Sequence, residues 1–93
     1  DWCDTKGLNA VGAYTTMRDA IQSAGRPMLF SMCEWGDNKP WEWATDVGHS
    51  WRTTGDIYPC WDCEFSHGSW SSLGVLRILD KLDGVQAKAG YTF

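Results

Sequence analysis

The stretch Ser50-Trp51-Arg52-Thr53-Thr54-Gly55-Asp56-Ile57 sets a permanent cation and a carboxylate four residues apart in a segment rich in β-branched and aromatic residues. On an extended strand Arg52, Thr54 and Asp56 share one face. Gly55 lets the chain bend so that Asp56 leans over the strand end. Two more acids stand beside sulfur and aromatic side chains: Asp1 in Asp1-Trp2-Cys3 and Glu34 in Cys33-Glu34-Trp35. Taken singly, each acid reads most simply as a solvated loop carboxylate or a helix cap. Taken jointly they suit one chemistry. Two carboxylates facing each other across a sugar are the minimal equipment of glycoside hydrolysis, one attacking the anomeric carbon and the other protonating the leaving oxygen. Seven tryptophans in 93 residues serve either core packing, since each ring buries a large area, or a pocket for flat apolar faces such as those of a sugar ring.

The four cysteines are Cys3, Cys33, Cys60 and Cys63, and only Cys60-x-x-Cys63 has a tight spacing. A zinc ribbon needs a second such pair. A thioredoxin-like motif should open a helix after a strand, and Pro59 before the pair and Trp61-Asp62 within it argue against that. The pair is expected as a local disulfide or as two free thiols. No metal and no organic cofactor are expected.

The elements that must position these residues are legible in outline. From Leu8 the apolar residues Val11, Tyr14, Met17, Ile21 and Ala24 fall three or four apart, one face of an amphipathic helix closed by Gly25 and followed by Pro27. Met28 to Met32 predicts a short strand buried on both faces, of the parallel-sheet kind. A loop follows, then a short helix opened by Pro40 and ending near Gly48. Ser50 to Ile57 predicts a second strand. A loop over Cys60 to Gly68 leads into a final helix marked by Leu73, Leu76, Leu79 and Leu82. This order predicts an α/β unit with parallel strands joined by crossovers, in which functional residues gather at the carboxyl ends of the strands. Those ends carry Glu34, Arg52 and Asp56, and Asp1 precedes a helix where an earlier strand would exit.

Ninety-three residues suffice for one small domain with a modest core. A net charge of −4 argues against a nucleic acid or other polyanion as partner, and no apolar run is long enough to suggest a membrane span.

Three of these stretches, Asp1-Trp2-Cys3, "LFSMCEWG" and "SWRTTGDI", together with "AYTTMRDA", "NKPWEW" and "CWDCEFSHGSW", resemble the α-galactosidases of glycoside hydrolase family 27, the bacterial members above all. The resemblance runs from about Asp1 to Leu82 in order and spacing. It implies a partial (β/α)8 TIM barrel, roughly from the end of strand 4 through helix 6, belonging to a single catalytic domain that removes terminal α-linked galactose with retention. Position by position, it implies Asp1 as nucleophile and Asp56 as general acid/base. Arg52 and Trp35 would hold the sugar, Glu34 would bind its 2-hydroxyl, and Cys3 would line the pocket wall in a disulfide to the preceding strand. The implied partner is a small carbohydrate, and the implied parent is secreted or periplasmic. A second reading of the same fold is an α-N-acetylgalactosaminidase, and a third is a truncated piece with no activity of its own. After "LDGVQAKAG" the family's pattern gives way to Tyr91-Thr92-Phe93, which predicts a truncation or frameshift there.

Overall fold

The structure is a computed structural model and describes residues 1–88. The divergent end at Tyr91 to Phe93 lies outside the described residues. Helix α1 spans Ala10–Ser23, opened by Asn9, whose Oδ1 accepts from the Gly12 amide at 2.7 Å. It closes at Ala24 and Gly25, the glycine at φ +67° as a left-handed stop requires. Of its expected apolar face only Tyr14 is buried, alongside Ala10, while Val11 and Met17 lie exposed.

Strands β1 (Ser31–Met32) and β2 (Ser50–Trp51) pair in parallel, Ser31 opposite Ser50 and Met32 opposite Trp51. The ladder extends to His49 N–H on Phe30 O (2.8 Å) and Arg52 N–H on Met32 O (3.0 Å). Two short 3-10 turns, Pro40–Glu42 and Ala44–Asp46, make the crossover, with Pro40 at the first turn as the sequence predicts. Tyr14, Met32, Ala44 and Val47 form the core, and Trp2, Phe30, Trp43 and Trp51 pack against it. Trp2 stacks on Tyr14 with ring centroids 5.4 Å apart. Part of the tryptophan complement is therefore ordinary packing.

Three expectations need correction. The first strand is not buried on both faces over Met28 to Met32: only its last two residues pair, and Leu29 is 76% exposed. A doubly buried strand needs a layer on each side, and among the described residues nothing covers Leu29. The second strand ends at Trp51 rather than Ile57. Beyond Thr53 the chain turns away from β1 and meets a different partner, Ile57 bridging in parallel to Leu73. The segment from Cys60 onward is not a plain loop leading into a helix at Leu73. Strands β3 (Glu64–Ser66) and β4 (Ser71–Leu73) form an antiparallel hairpin, closed by His67 N–H on Trp70 O at 2.8 Å with Gly68 at φ +92°.

Helix α2 begins only at Val75 and runs to Leu82. Cys60 and Cys63 are joined as a disulfide, the first of the two alternatives. The loop this closes caps α2. Gly74, Val75 and Leu76 N–H donate to the carbonyls of Cys63, Cys60 and Trp61 at 2.9, 3.1 and 2.9 Å, satisfying donors that a helix start leaves unpaired. The approach is tight: a Cβ on Gly74 would lie 2.7 Å from Trp61 O.

Candidate active site

Parallel strands deliver their carboxyl ends to one edge, and the register decides which residues meet there. With Met32 opposite Trp51, the next residues, Cys33 and Arg52, are neighbours. Arg52 Nη1 reaches Cys33 Sγ at 3.8 Å, and the same thiol lies 3.7 Å from Asp1 Oδ1. On the other side Arg52 Nη2 donates to Asp56 Oδ1 at 2.8 Å. An unbroken series therefore runs Asp1, Cys33, Arg52, Asp56, with the two carboxylates at its ends. Desolvation is the largest single influence on Arg52 and lowers its pKa, but hydrogen bonds to Asp56 and Cys33 together with charge attraction to both leave it raised. Arg52 is a fixed cation at any working pH.

Trp35 sits one residue beyond Glu34 in an unusual backbone, φ +61°, followed by Gly36 at φ +84°. A left-handed conformation at a non-glycine residue costs on the order of 1–2 kcal/mol. The turn is held by Asn38, whose backbone N–H and Nδ2 both donate to Glu34 Oε2 at 2.7 and 3.0 Å. Gly36 permits the close approach of the two loops: a Cβ there would stand 2.1 Å from Thr53 O. The Trp35 ring is then pinned from three sides. Arg52 Cζ lies 5.4 Å from its centroid, a cation–π geometry, and Trp70 meets it edge-on at 5.2 Å. Gly55 comes so near that a Cβ would touch the ring at 3.3 Å.

Glu34 is fully buried, yet Oε1 has no hydrogen-bond partner among the described residues, and neither has the buried Trp35 Nε1. An unpaired buried polar atom costs about 1–3 kcal/mol. One orphan acceptor and one orphan donor on adjacent residues are what hydroxyl groups, each both donor and acceptor, can satisfy.

The structure thus brings together Asp1, Arg52, Asp56 and Trp35. Glu34 joins them only through its chain neighbours, since its carboxylate is turned to Asn38. Cys3 stands apart as an exposed free thiol. Two contributors escaped the sequence reading. Cys33 is the link between Asp1 and Arg52, which only the strand register reveals. Trp70 arrives from the unforeseen hairpin, whose Gly68-Ser69 between two β-type runs was a usable turn signal. Among the described residues no group of three or more His, Cys, Asp or Glu side chains is placed to hold a metal ion, and no helix is long and apolar enough to cross a membrane.

No protein-family model matches the chain. Individual proteins do. It is 74% identical over 90 residues, 97% of its length, to Alpha-galactosidase A of Cellvibrio japonicus. This chain belongs to the α-galactosidase family. It is also 48% identical over 67% of its length to the Alpha-galactosidase of Cyamopsis tetragonoloba. The chain spans 22% and 15% of these two relatives. In structure it is similar to a Bacteroides fragilis crystal structure described as that of a candidate α-galactosidase, with a TM-score of 0.72 and 30% identity over 88% of this chain and 19% of that one. The chain is thus a small mixed helix–strand segment similar to part of that structure.

Proposed function

We propose that the chain supplies part of the active site of a retaining exo-α-galactosidase, at the carboxyl-end edge of a (β/α)8 barrel between the end of the fourth strand and the sixth helix. The family membership supports this, and the observation that carries it is the contact series joining Asp1 to Asp56 through Cys33 and Arg52.

In this reading Asp1 attacks the anomeric carbon while Asp56 protonates the departing glycosidic oxygen. The resulting glycosyl ester on Asp1 is then hydrolysed by a water that Asp56, now a base, deprotonates. Carboxyl groups about 5 Å apart suit that double displacement. Arg52 occupies one oxygen of Asp56 and leaves the other for the substrate. Glu34 accepts from the galactose 2-hydroxyl through Oε1, the carboxylate oxygen that Asn38 leaves free, and Trp35 lies against the sugar; for Cys3, which stands apart from the contact series, a place on the pocket wall rests on the family resemblance alone. A buried carboxylate at the 2-position also crowds an acetamide, so the α-N-acetylgalactosaminide reading is the weaker one.

The test is the stereochemistry of the first product. Proton NMR during hydrolysis of 4-nitrophenyl α-galactoside by the complete gene product should show α-galactose before mutarotation. First appearance of β-galactose, or no hydrolysis at all, overturns the proposal.

A further inference from the structure

The Cys60–Cys63 disulfide has no place in the chemistry above, yet its contacts lead back to Asp56. Strand β2 does not hold that residue. The β1–β2 ladder ends with Arg52 N–H on Met32 O at 3.0 Å. Among the described residues, the next backbone hydrogen bond along this segment is made by Asp56 itself, whose carbonyl accepts from Leu73 N–H at 2.9 Å. Two residues on, Tyr58 N–H donates to Leu73 O at 2.8 Å, so the buried Leu73 grips the chain on both sides of Ile57. Strand β4 also backs the residue before Asp56: a Cβ on Gly55 would stand 3.3 Å from Ser71 O. The Asp56 backbone thus takes its position from β4, and the Arg52 ion pair holds only one carboxyl oxygen.

The disulfide loop is what fixes the end of β4. Gly74 N–H donates to Cys63 O at 2.9 Å and Val75 N–H to Cys60 O at 3.1 Å, so each half of the bridge takes one bond from the two residues that follow Leu73. Gly74 lies so near that a Cβ would stand 2.8 Å from Cys60 Sγ. Leu73 is therefore bonded to Asp56 and joined directly to the residues the loop clamps. We propose that the Cys60–Cys63 disulfide is a positioning clamp for Asp56, acting through Leu73 on the placement of its carboxyl beside the leaving oxygen. The clamp rests on these contacts, and the proton transfer it serves rests on the galactosidase reading.

Two measurements on the complete gene product test it. The variants are Cys60→Ala/Cys63→Ala, which removes the bridge, and Gly74→Ala, which keeps both sulfurs and pushes the loop away. Gly84→Ala, at a positive φ with nothing within 4 Å, is the control for strain elsewhere. The first measurement is amide hydrogen exchange, which needs no turnover. The Leu73 and Tyr58 amides should exchange about tenfold faster in both clamp variants, with the Arg52 amide of the β1–β2 ladder at its wild-type rate. Unchanged exchange at Leu73, or equal acceleration at Arg52, overturns the clamp. The second is the ratio of kcat/KM on methyl α-galactoside, whose leaving oxygen needs a proton, to that on 4-nitrophenyl α-galactoside. Misplacing a reacting group by about 1 Å can cost on the order of a hundredfold, so both clamp variants should lower the ratio about tenfold while Gly84→Ala leaves it unchanged. An unchanged ratio in the clamp variants, or the same fall in Gly84→Ala, shows a general structural role and overturns the proposal, as does failure of both clamp variants to fold. If the wild type hydrolyses neither galactoside, the galactosidase reading fails, and hydrogen exchange alone decides the clamp.

Discussion

Arg52 and Asp56 form an ion pair, Nη2 to Oδ1 at 2.8 Å, with both side chains more than a third exposed. A pair so open to water adds little to stability. Its effect is geometric: it fixes the carboxyl at the end of a series whose other end is Asp1.

If Asp56 is the proton donor, its loss should be felt according to the leaving group. Asp56→Asn is expected to reduce kcat/KM by about 10²- to 10⁴-fold on alkyl or sugar α-galactosides, whose oxygens need protonation in the first step. On activated aryl galactosides the first step should suffer much less. Equal losses across a series of leaving-group pKa values would contradict an acid role.

Glu34 gives a prediction about specificity. If Glu34 reads the sugar 2-position through its buried, unpaired Oε1, Glu34→Ser removes both an acceptor for a 2-hydroxyl and the bulk that opposes a 2-acetamido group. The ratio of kcat/KM for the galactoside to that for the N-acetylgalactosaminide should fall by about two orders of magnitude or more. An unchanged ratio would show that Glu34 does not read the 2-position.

Two glycines separate strain from collision. Gly36 and Gly84 both have positive φ, +84° and +73°, but only at Gly36 would a Cβ strike backbone, Thr53 O at 2.1 Å. Gly84→Ala should cost about 1 kcal/mol. Gly36→Ala should cost about 3 kcal/mol or more and disturb the Trp35 turn. Thermal melts of the two variants in the complete gene product check this, and similar shifts in melting temperature would refute the close approach.

Tyr14 predicts an alkaline effect. Its hydroxyl donates to Cys33 O at 2.8 Å. Burial, with the nearby Cys33 and Glu34, raises its pKa above the ordinary tyrosine value. The folded state therefore holds a proton that the unfolded chain releases near pH 10, so this contribution is intact below pH 10 and fades as pH climbs through the raised value. Tyr14→Phe should cost roughly 1 kcal/mol at neutral pH and flatten the loss of stability above pH 10. A spectrophotometric titration in which Tyr14 ionises at or below the ordinary value would dispose of the argument.

Much of this was legible because it depends on local pattern. Val11, Tyr14 and Met17 mark a helix by their spacing, and Asn9 and Gly25 mark its ends. Which part of that face is covered was not legible, since burial depends on what lies opposite: Tyr14 meets Met32 and Trp43, whereas Met17 is left more than half exposed. The chemistry-bearing residues could be picked by type, but Cys33 could not, because its position between Asp1 and Arg52 follows from a two-residue register between strands that are distant in sequence. The resemblance pointed to Glu34, Trp35 and Arg52. It could not anticipate that Trp35 and Gly36 would need positive φ to bring the two loops together. The hairpin is hidden in the sequence because its strands are only three residues each, Glu64–Ser66 and Ser71–Leu73, and the leucine spacing that follows is the stronger pattern.

The bare edges of β1 and β2 carry a consequence for handling. The described chain has a radius of gyration of 14.6 Å, against about 12 Å for a compact domain of this length. Leu8, Met17, Leu29, Ile57, Trp61 and Leu79 are each more than half exposed. Open strand edges beside uncovered apolar side chains are templates for self-association. Produced alone, the 93 residues should behave as a colloid: elution in the void volume, strong binding of a hydrophobic dye, a broad melt and no release of nitrophenol from an aryl galactoside. A sharp melt from a monodisperse monomer would show that the segment is self-sufficient. Purification of any short piece carrying these residues should accordingly be planned around detergent or a fusion partner from the outset.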